Sequence, residues 1–380
     1  SKALGIKMGD VFYQVKDVLE KNGVAVFSSN YNLYGDMSRR VMSLLSTYTP
    51  KLDIYSIDEA FLDLTGMGDM EFLSSYCKQM VRDITKGTGI PISLGVAPTK
   101  TLAKMASKYA KKHKGYEGAC FIDTEEKREK ALKLFPVEDV WGIGYRHVKK
   151  LAYHGIHTAW DLTQRSESWI RKELTITGVR TWKELRGESC VSIDEPPHKK
   201  SICTSRSFSG SGLNKLADVE EAVANFAAAC SRKLREGHIV CSSVTVFAHT
   251  SRFRIDVPQN YIYRTINLVV PTNDMQELVS VAVKTLREDW KEGGFLYKKA
   301  GVIVWNTCED KAIQGNLFDK VNREKQAALA KAIDAINHKN GHNTIRMAVQ
   351  GYSRNWHLKN EYISKQYTTN LKDIIVVKAK

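Results

Sequence analysis

Between Ser201 and Trp305 the apolar residues set out an order of elements that few folds can accommodate. Ser201–Ser209 reads as a strand, Lys215–Glu236 as a helix, Cys241–Thr250 and Tyr263–Val270 as strands, Asp274–Trp290 as a helix and Lys298–Trp305 as a strand. The hydrophobic period switches between about 2 and 3.6 from one segment to the next. A β-α-β-β-α-β run of this kind predicts one self-contained sheet with its helices on one face.

The rest of the 380 residues exceeds what one further small core explains, since a domain holds ~100–200 residues. Gly9–Asn22 reads as a short amphipathic helix ending near Gly23, followed by a strand-like Val24–Phe27. A helix from about Met37 to Leu45 stops before Pro50. Residues 52–66 are β-branched and aromatic, interrupted by a charged pair, and predict two strands joined by a tight turn. A helix over Glu71–Thr85, a strand over Pro91–Ala97 and a lysine-studded helix from Thr99 complete a region of helices alternating with strands, α/β or α+β. From about Glu125 strand signals vanish; short helices joined by glycine turns run to a breaker at Glu195–His198. Beyond Thr307 the sequence predicts a tail with one Ala-rich helix, about Lys320–Asn337.

Charge narrows the partner. Lys+Arg 57 against Asp+Glu 42 gives a net +15, and residues 311–380 alone hold 13 basic against 5 acidic residues. Such an excess favours a polyanion, with nucleic acid first. No apolar run approaches the ~20 residues of a membrane-spanning helix, and no basic amphipathic helix with an aromatic face suggests a membrane surface. Ser1–Gly9 contains two lysines and no apolar core of a signal peptide. The seven cysteines are scattered and never spaced C-x-x-C, which predicts buried thiols in a reducing compartment.

Four features bear on chemistry. Asp58-Glu59 places two carboxylates side by side in an apolar hairpin, where repulsion costs ~1 kcal/mol in water and ~4 at an effective dielectric of 20. A divalent cation reverses that sign, and hard oxygen ligands suit Mg²⁺. Both reach one ion only from the turn itself, because strand neighbours point to opposite faces; the dipeptide alone does not separate a metal site from a solvated turn. Thr99–Gly115 carries six lysines and no acid, with Lys100, Lys104, Lys108 and Lys111 in one stripe. Like charges at that spacing repel, so the stripe reads either as a phosphate contact or as a solvated face. Val140-Trp141-Gly142-Ile143-Gly144, followed by Arg146, Lys149 and Lys150, has the pattern of a helix–hairpin–helix. Its glycines admit a phosphate to backbone N–H groups. A weaker second copy lies at Ile176–Lys183. Gln314-Gly315-Asn316-Leu317-Phe318 sets an apolar pair in a polar linker, either packed on its own domain or offered to a partner's groove. Tyr352, Trp356, Tyr362 and Tyr367 in the tail suit base stacking or a small packed tail.

These residues resemble the Y-family (translesion) DNA polymerases. Tyr55-Ser56-Ile57-Asp58-Glu59-Ala60-Phe61 matches the family signature, followed in register by Gly95-Val96-Ala97, Lys100, Ala103-Lys104, the hairpin at 140–144 and the separate β-α-β-β-α-β module. Within the family the resemblance is greatest to the UmuC group, catalytic subunits of bacterial DNA polymerase V, and runs from Ser1 to the end of the chain. It implies an α+β right-hand polymerase: residues 1–30 the remainder of the fingers, 31–122 the palm, 123–198 a helical thumb, 199–308 the little finger, and 309–380 a tail binding clamp and partners.

The resemblance further implies that Asp58 and Glu59 are catalytic and hold two Mg²⁺ ions. Lys111 and Lys2 would meet the incoming deoxynucleoside triphosphate. Gly142, Ile143, Gly144, Lys149, Lys150, Lys100 and Lys104 would grip primer-template DNA, and Gln314, Leu317 and Phe318 would engage the β sliding clamp. A processed UmuD dimer and RecA are the implied protein partners, in SOS repair in the bacterial cytoplasm at the nucleoid. The family pattern opens with a strand carrying another metal-binding Asp and an aromatic residue that excludes ribonucleotides, and Ser1 matches a point beyond it. The expectation is therefore an incomplete palm that binds DNA and polymerises poorly. Two rival readings are a catalytically dead, clamp-tethered DNA-binding scaffold and a helix–hairpin–helix glycosylase using Asp161.

Overall fold

The computed structural model describes residues 1–191, 199–319, 321–341, 343–352, 356–357 and 360–377. The chain forms two compact units, Ser1–Glu195 together with Tyr362–Lys380, and Pro196–Glu361. The breaker expected at Glu195–His198 lies outside the described residues, apart from which both units follow the expected α+β pattern.

The first unit opens with α1 (Phe12–Lys21) and α2 (Tyr31–Leu45). Helix α2 starts six residues before the expected Met37, because the Asn30 side chain accepts the Leu33 N–H and caps it. Val24–Phe27, expected as a strand, is not one: a strand exists by pairing, and only Ser28 bridges, to Ile363, while the Phe27 side chain lies exposed. Strands β1 (Leu52–Ile54) and β2 (Ala60–Leu62) form the expected antiparallel hairpin, with Asp53 opposite Phe61. Then come α3 (Met70–Thr88), β3 (Leu94–Val96), α4 (Lys100–Lys112) and β4 (Ala119–Phe121), with β3 and β4 paired in parallel. Val41, Met42 and Leu45 of α2 pack on Met80 and Ile84 of α3, closing one core beneath the hairpin.

Helix α4 belongs to a second core. Its Leu102, Met105 and Ala106 are buried with residues of α5 (Glu125–Leu134), α6 (Tyr145–Tyr153), α7 (Ala159–Thr163) and α8 (Glu167–Leu185). Thr99 caps α4 at Leu102 N–H, and its hydroxyl donates to the Glu184 carbonyl at 2.8 Å. Helix α8 is two helices meeting at Thr175 (φ 64°, ψ −171°), one residue before the Ile176–Lys183 segment expected to hold the second glycine-turn pattern.

The second unit holds β5 (Ser201–Ser207), α9 (Leu216–Glu236), β6 (Ile239–Thr250), β7 (Tyr261–Thr272), α10 (Met275–Asp289) and β8 (Tyr297–Glu309). The sheet runs β5-β8-β6-β7, antiparallel throughout, with Val246 opposite Val302. Val244, Val246 and Ala248 face the core with the two helices, while Ser243, Thr245 and Phe247 alternate onto the other face. Helix α11 (Arg323–Asn340) follows, tied to α9 by Arg235 Nε to Asp334 Oδ2 at 2.6 Å; none of its residues is buried. No described helix is long and apolar enough to cross a membrane.

Candidate active site

The acid pair sits where a shared ion requires it, in the turn. The N–H groups of Tyr55 and Ser56 both donate to the Glu59 carbonyl at 3.0 Å, so residues 55–59 form the loop of the β1–β2 hairpin. Ser56 Oγ donates to Asp58 Oδ1 at 2.7 Å, turning that carboxylate back over the loop. The hairpin is held from outside by Trp141, whose ring meets Tyr55 edge-on at 5.4 Å and Phe61 at 5.6 Å.

The lysine stripe on α4 is not uncompensated, as its own segment suggested. Lys100 Nζ lies 2.8 Å from Asp53 Oδ2, Lys104 pairs with Glu59, and Lys108 pairs with Asp139. These acids are remote in sequence, so the repulsion read along the helix is relieved by folding. Asp58, Glu59, Lys104 and Lys111 line one cavity of about 1240 Å³, with Tyr31 and Tyr34 of α2 also on its wall. Strands β2 and β3 both border it, and among the described residues each has a partner on one edge only. Lys2 lies exposed in a short 3-10 turn and does not line the cavity.

The hairpin at 140–144 folds as its sequence predicts. Val140 and Ile143 are buried, and Gly142 adopts φ 91°. Gly144 caps α6 without any side-chain hydrogen bond, leaving the first amides of that helix open to a ligand. Lys149 Nζ stands 4.7 Å over the Tyr145 ring, and Lys150 Nζ is held 2.8 Å from Glu173 Oε2. Asp161, the glycosylase candidate, accepts the His157 and Thr158 N–H groups in a capping box and serves helix α7. In the second unit Leu317 is 100% and Phe318 87% exposed, so that pair does not pack on its own domain. Trp356 is buried, which settles that tail aromatic as packed.

Two functional contacts escaped the sequence reading. Buried Glu184 accepts the Thr101 N–H at 2.9 Å and the Cys190 N–H at 2.8 Å, fixing the start of the lysine helix to the end of α8. Trp141 braces the acid turn. Nothing local marks Glu184; Trp141 lies inside the hairpin motif but its contact is remote.

No group of three metal-ligating side chains forms among the described residues. Two adjacent carboxylates at a cavity mouth do fit Mg²⁺, which takes one or two carboxylates and completes its shell with water and substrate phosphates.

The chain matches the impB/mucB/samB family over residues 1–108 and the C-terminal domain of that family over 199–317. Residues 327–377 match a domain of unknown function, DUF4113. It is 39% identical to Protein UmuC of Salmonella typhimurium across 100% of this chain and 90% of that protein. It is 29% identical to DNA polymerase IV 1 of Halalkalibacterium halodurans, over 82% of this chain and 73% of that one. Among solved structures, a Y-family DNA polymerase chimera of Dbh and Dpo4 superposes with a TM-score of 0.62 at 19% identity, covering 80% of this chain and 84% of the other.

Proposed function

Because the chain belongs to the impB/mucB/samB family, the UmuC-like Y-family DNA polymerases, we propose that it is a template-directed translesion DNA polymerase acting in SOS repair. The observation that carries this reading is the single cavity on which Asp58, Glu59, Lys104 and Lys111 converge. Phosphoryl transfer to a 3′-oxygen needs little covalent help and much placement of charge. Mg²⁺ bound by Asp58 and Glu59, two ions on the family pattern, supplies charge to the attacking and leaving oxygens.

The chain's own residues do the rest. Lys111, on the cavity wall, offsets the triphosphate, while Lys2, which does not line the cavity, has no geometric support for that role. Lys104 holds Glu59 until the cation competes for it, and Lys100 orients Asp53, so these two lysines act on the acid turn before they act on DNA. The open start of α6 at Gly142–Gly144, with Lys149 and Lys150, takes a backbone phosphate of the primer-template duplex without reading its sequence. The sheet module at 199–308 is the little finger that holds the duplex. Gln314, Leu317 and Phe318 fit a β-clamp groove, which their exposure supports. A processed UmuD dimer and RecA are the partners proposed from the UmuC relationship, at the bacterial nucleoid.

Among the described residues β2 pairs with β1 and β3 with β4, and both strands border the cavity. Primer extension with Mg²⁺, four deoxynucleotides, clamp, RecA filament and processed UmuD tests the whole reading. Extension should be seen with the parent chain and vanish in Asp58→Ala/Glu59→Ala. Extension indifferent to that double substitution would sink it; DNA binding with no extension under any condition would favour the scaffold.

A further inference from the structure

The segment of unknown function docks at two places. Its first part sits on α9 of the second unit: Trp356 is 6% exposed, its ring lies 5.4 Å from Phe226 at 81°, and its Nε1 donates to Glu221 Oε1 at 3.1 Å. Gln350, also buried, accepts at its carbonyl from Asn225 Nδ2 at 2.8 Å, and Met347 and Val349 pack on the same core. Glu221 and Asn225, one turn apart, share one face of α9 by helical spacing, and Phe226 follows Asn225 in the chain.

Its second part sits on the first unit, at the start of α2. The Ser28 N–H donates to the Tyr362 carbonyl at 2.9 Å. Asn30, fully buried, donates from Nδ2 to the Ser364 carbonyl at 3.1 Å and to Ser364 Oγ at 3.2 Å. Buried Asp36 accepts from Thr368, and Gln366 N–H donates to Asp373 Oδ2 at 2.9 Å, folding the segment's end on itself. Both docks are built sites with buried polar partners, not surface adhesion.

We infer that the tail acts as an intramolecular strap, with residues 347–350 and Trp356 seated on α9 of the second unit and residues 362–373 seated on Ser28, Asn30 and Asp36 of the first. The chain passes between the units a first time at Glu195–Pro196 and a second time at Glu361–Tyr362. The second passage turns a single tether into a closed loop. The six residue steps from Trp356 to Tyr362 span at most ~20 Å when fully extended. Each dock therefore raises the effective concentration of the other. The strap's second seat is on the helix whose Tyr31 and Tyr34 line the cavity. The inference stands on the docks alone and does not depend on whether the chain polymerises.

The test uses the full chain without DNA. A donor and an acceptor dye are placed by bio-orthogonal labels at Ser168 and Lys291, and hydrogen exchange is read at Ser28. Trp356→Ala should speed exchange at Ser28 at least tenfold, although Trp356 touches nothing there, and should broaden the interdye distance distribution. A protease site inserted between Asn360 and Glu361 leaves both docks chemically intact; cutting it should broaden the distribution in the same way. Unchanged exchange at Ser28 in Trp356→Ala, or an unchanged distribution after the cut, overturns the strap. The cut version decides the matter should Trp356→Ala unfold the second unit.

Discussion

Lys104 on α4 and Glu59 in the acid turn form an ion pair, and one turn earlier on the same helix Lys100 holds Asp53. The lysine helix is thereby bound to the hairpin through both of its first stripe residues. With the Lys104 side chain 26% and the Glu59 side chain 39% exposed, this pair contributes little to folding, ~0–1 kcal/mol. Its consequence for the proposed metal site is competition: a cation bound at Glu59 would have to displace the ammonium.

Lys104→Met should therefore leave the melting temperature within a few degrees of the parent and tighten Mn²⁺ binding several-fold, measured by titration without nucleotide. Glu59→Gln should weaken that binding. Equal Mn²⁺ affinity in Lys104→Met and the parent would mean the pair does not guard the site.

The two hairpin glycines separate a folding role from a binding role. At Gly142, φ is 91° and a Cβ would stand 2.8 Å from Thr181 Oγ1, so Gly142→Ala should cost about 1–3 kcal/mol of stability. At Gly144 a Cβ would meet nothing within 4 Å and φ is an ordinary −90°. Gly144→Ala should fold as well as the parent, yet weaken binding to a primer-template duplex, because the added methyl lies where a phosphate approaches the α6 amides. Chemical denaturation and salt-series fluorescence anisotropy check the pair. Parent-like anisotropy for Gly144→Ala would remove the α6 start from the interface.

The order of elements in the sheet module was legible because each strand alternates faces and each helix is long and periodic; only ends moved, as at Ser201–Ser209, which stops at Ser207. The acid turn was legible too, since β-branched runs bracket Asp58-Glu59. What the sequence concealed was pairing at a distance. Lys100, Lys104 and Lys108 look like an unbalanced stripe until folding delivers Asp53, Glu59 and Asp139. Val24–Phe27 has strand composition, but composition does not supply a neighbouring strand. The tail's Asn30 and Trp356 docks join residues more than 100 positions apart, which no local period reports.

Burial sorts the cysteines. Desolvation pushes the Cys77 and Cys230 thiols up to about 11 and Cys241 up to about 12, and all three are buried, whereas Cys203 is exposed. The thiolate is the reacting form, so iodoacetamide at pH 8 should label Cys203 within minutes and spare Cys77, Cys230 and Cys241 until denaturant is added. Peptide mass mapping reads this directly; early labelling of Cys241 would contradict the closed core of the second unit.

The Asp36 clasp sets a pH window for the far end of the tail. Hydrogen bonds from Arg40, Arg39 and Thr368 lower the Asp36 carboxyl from 3.8 to about 2. A depressed folded-state pKa means the stabilisation is complete above the unfolded value and is lost as pH falls through the folded one. The clasp should thus be intact from pH 7 down to about 4 and fail between there and about 2. The side-chain amide resonance of Asn30, which donates to Ser364, follows it by NMR across that range. Asp36→Asn keeps the shape and removes the charge. Its Asn30 resonance should already be shifted toward the released position at pH 7 and should titrate no further below pH 4. An Asn30 resonance that moves identically in both proteins would assign the acid transition to the unit as a whole and not to Asp36.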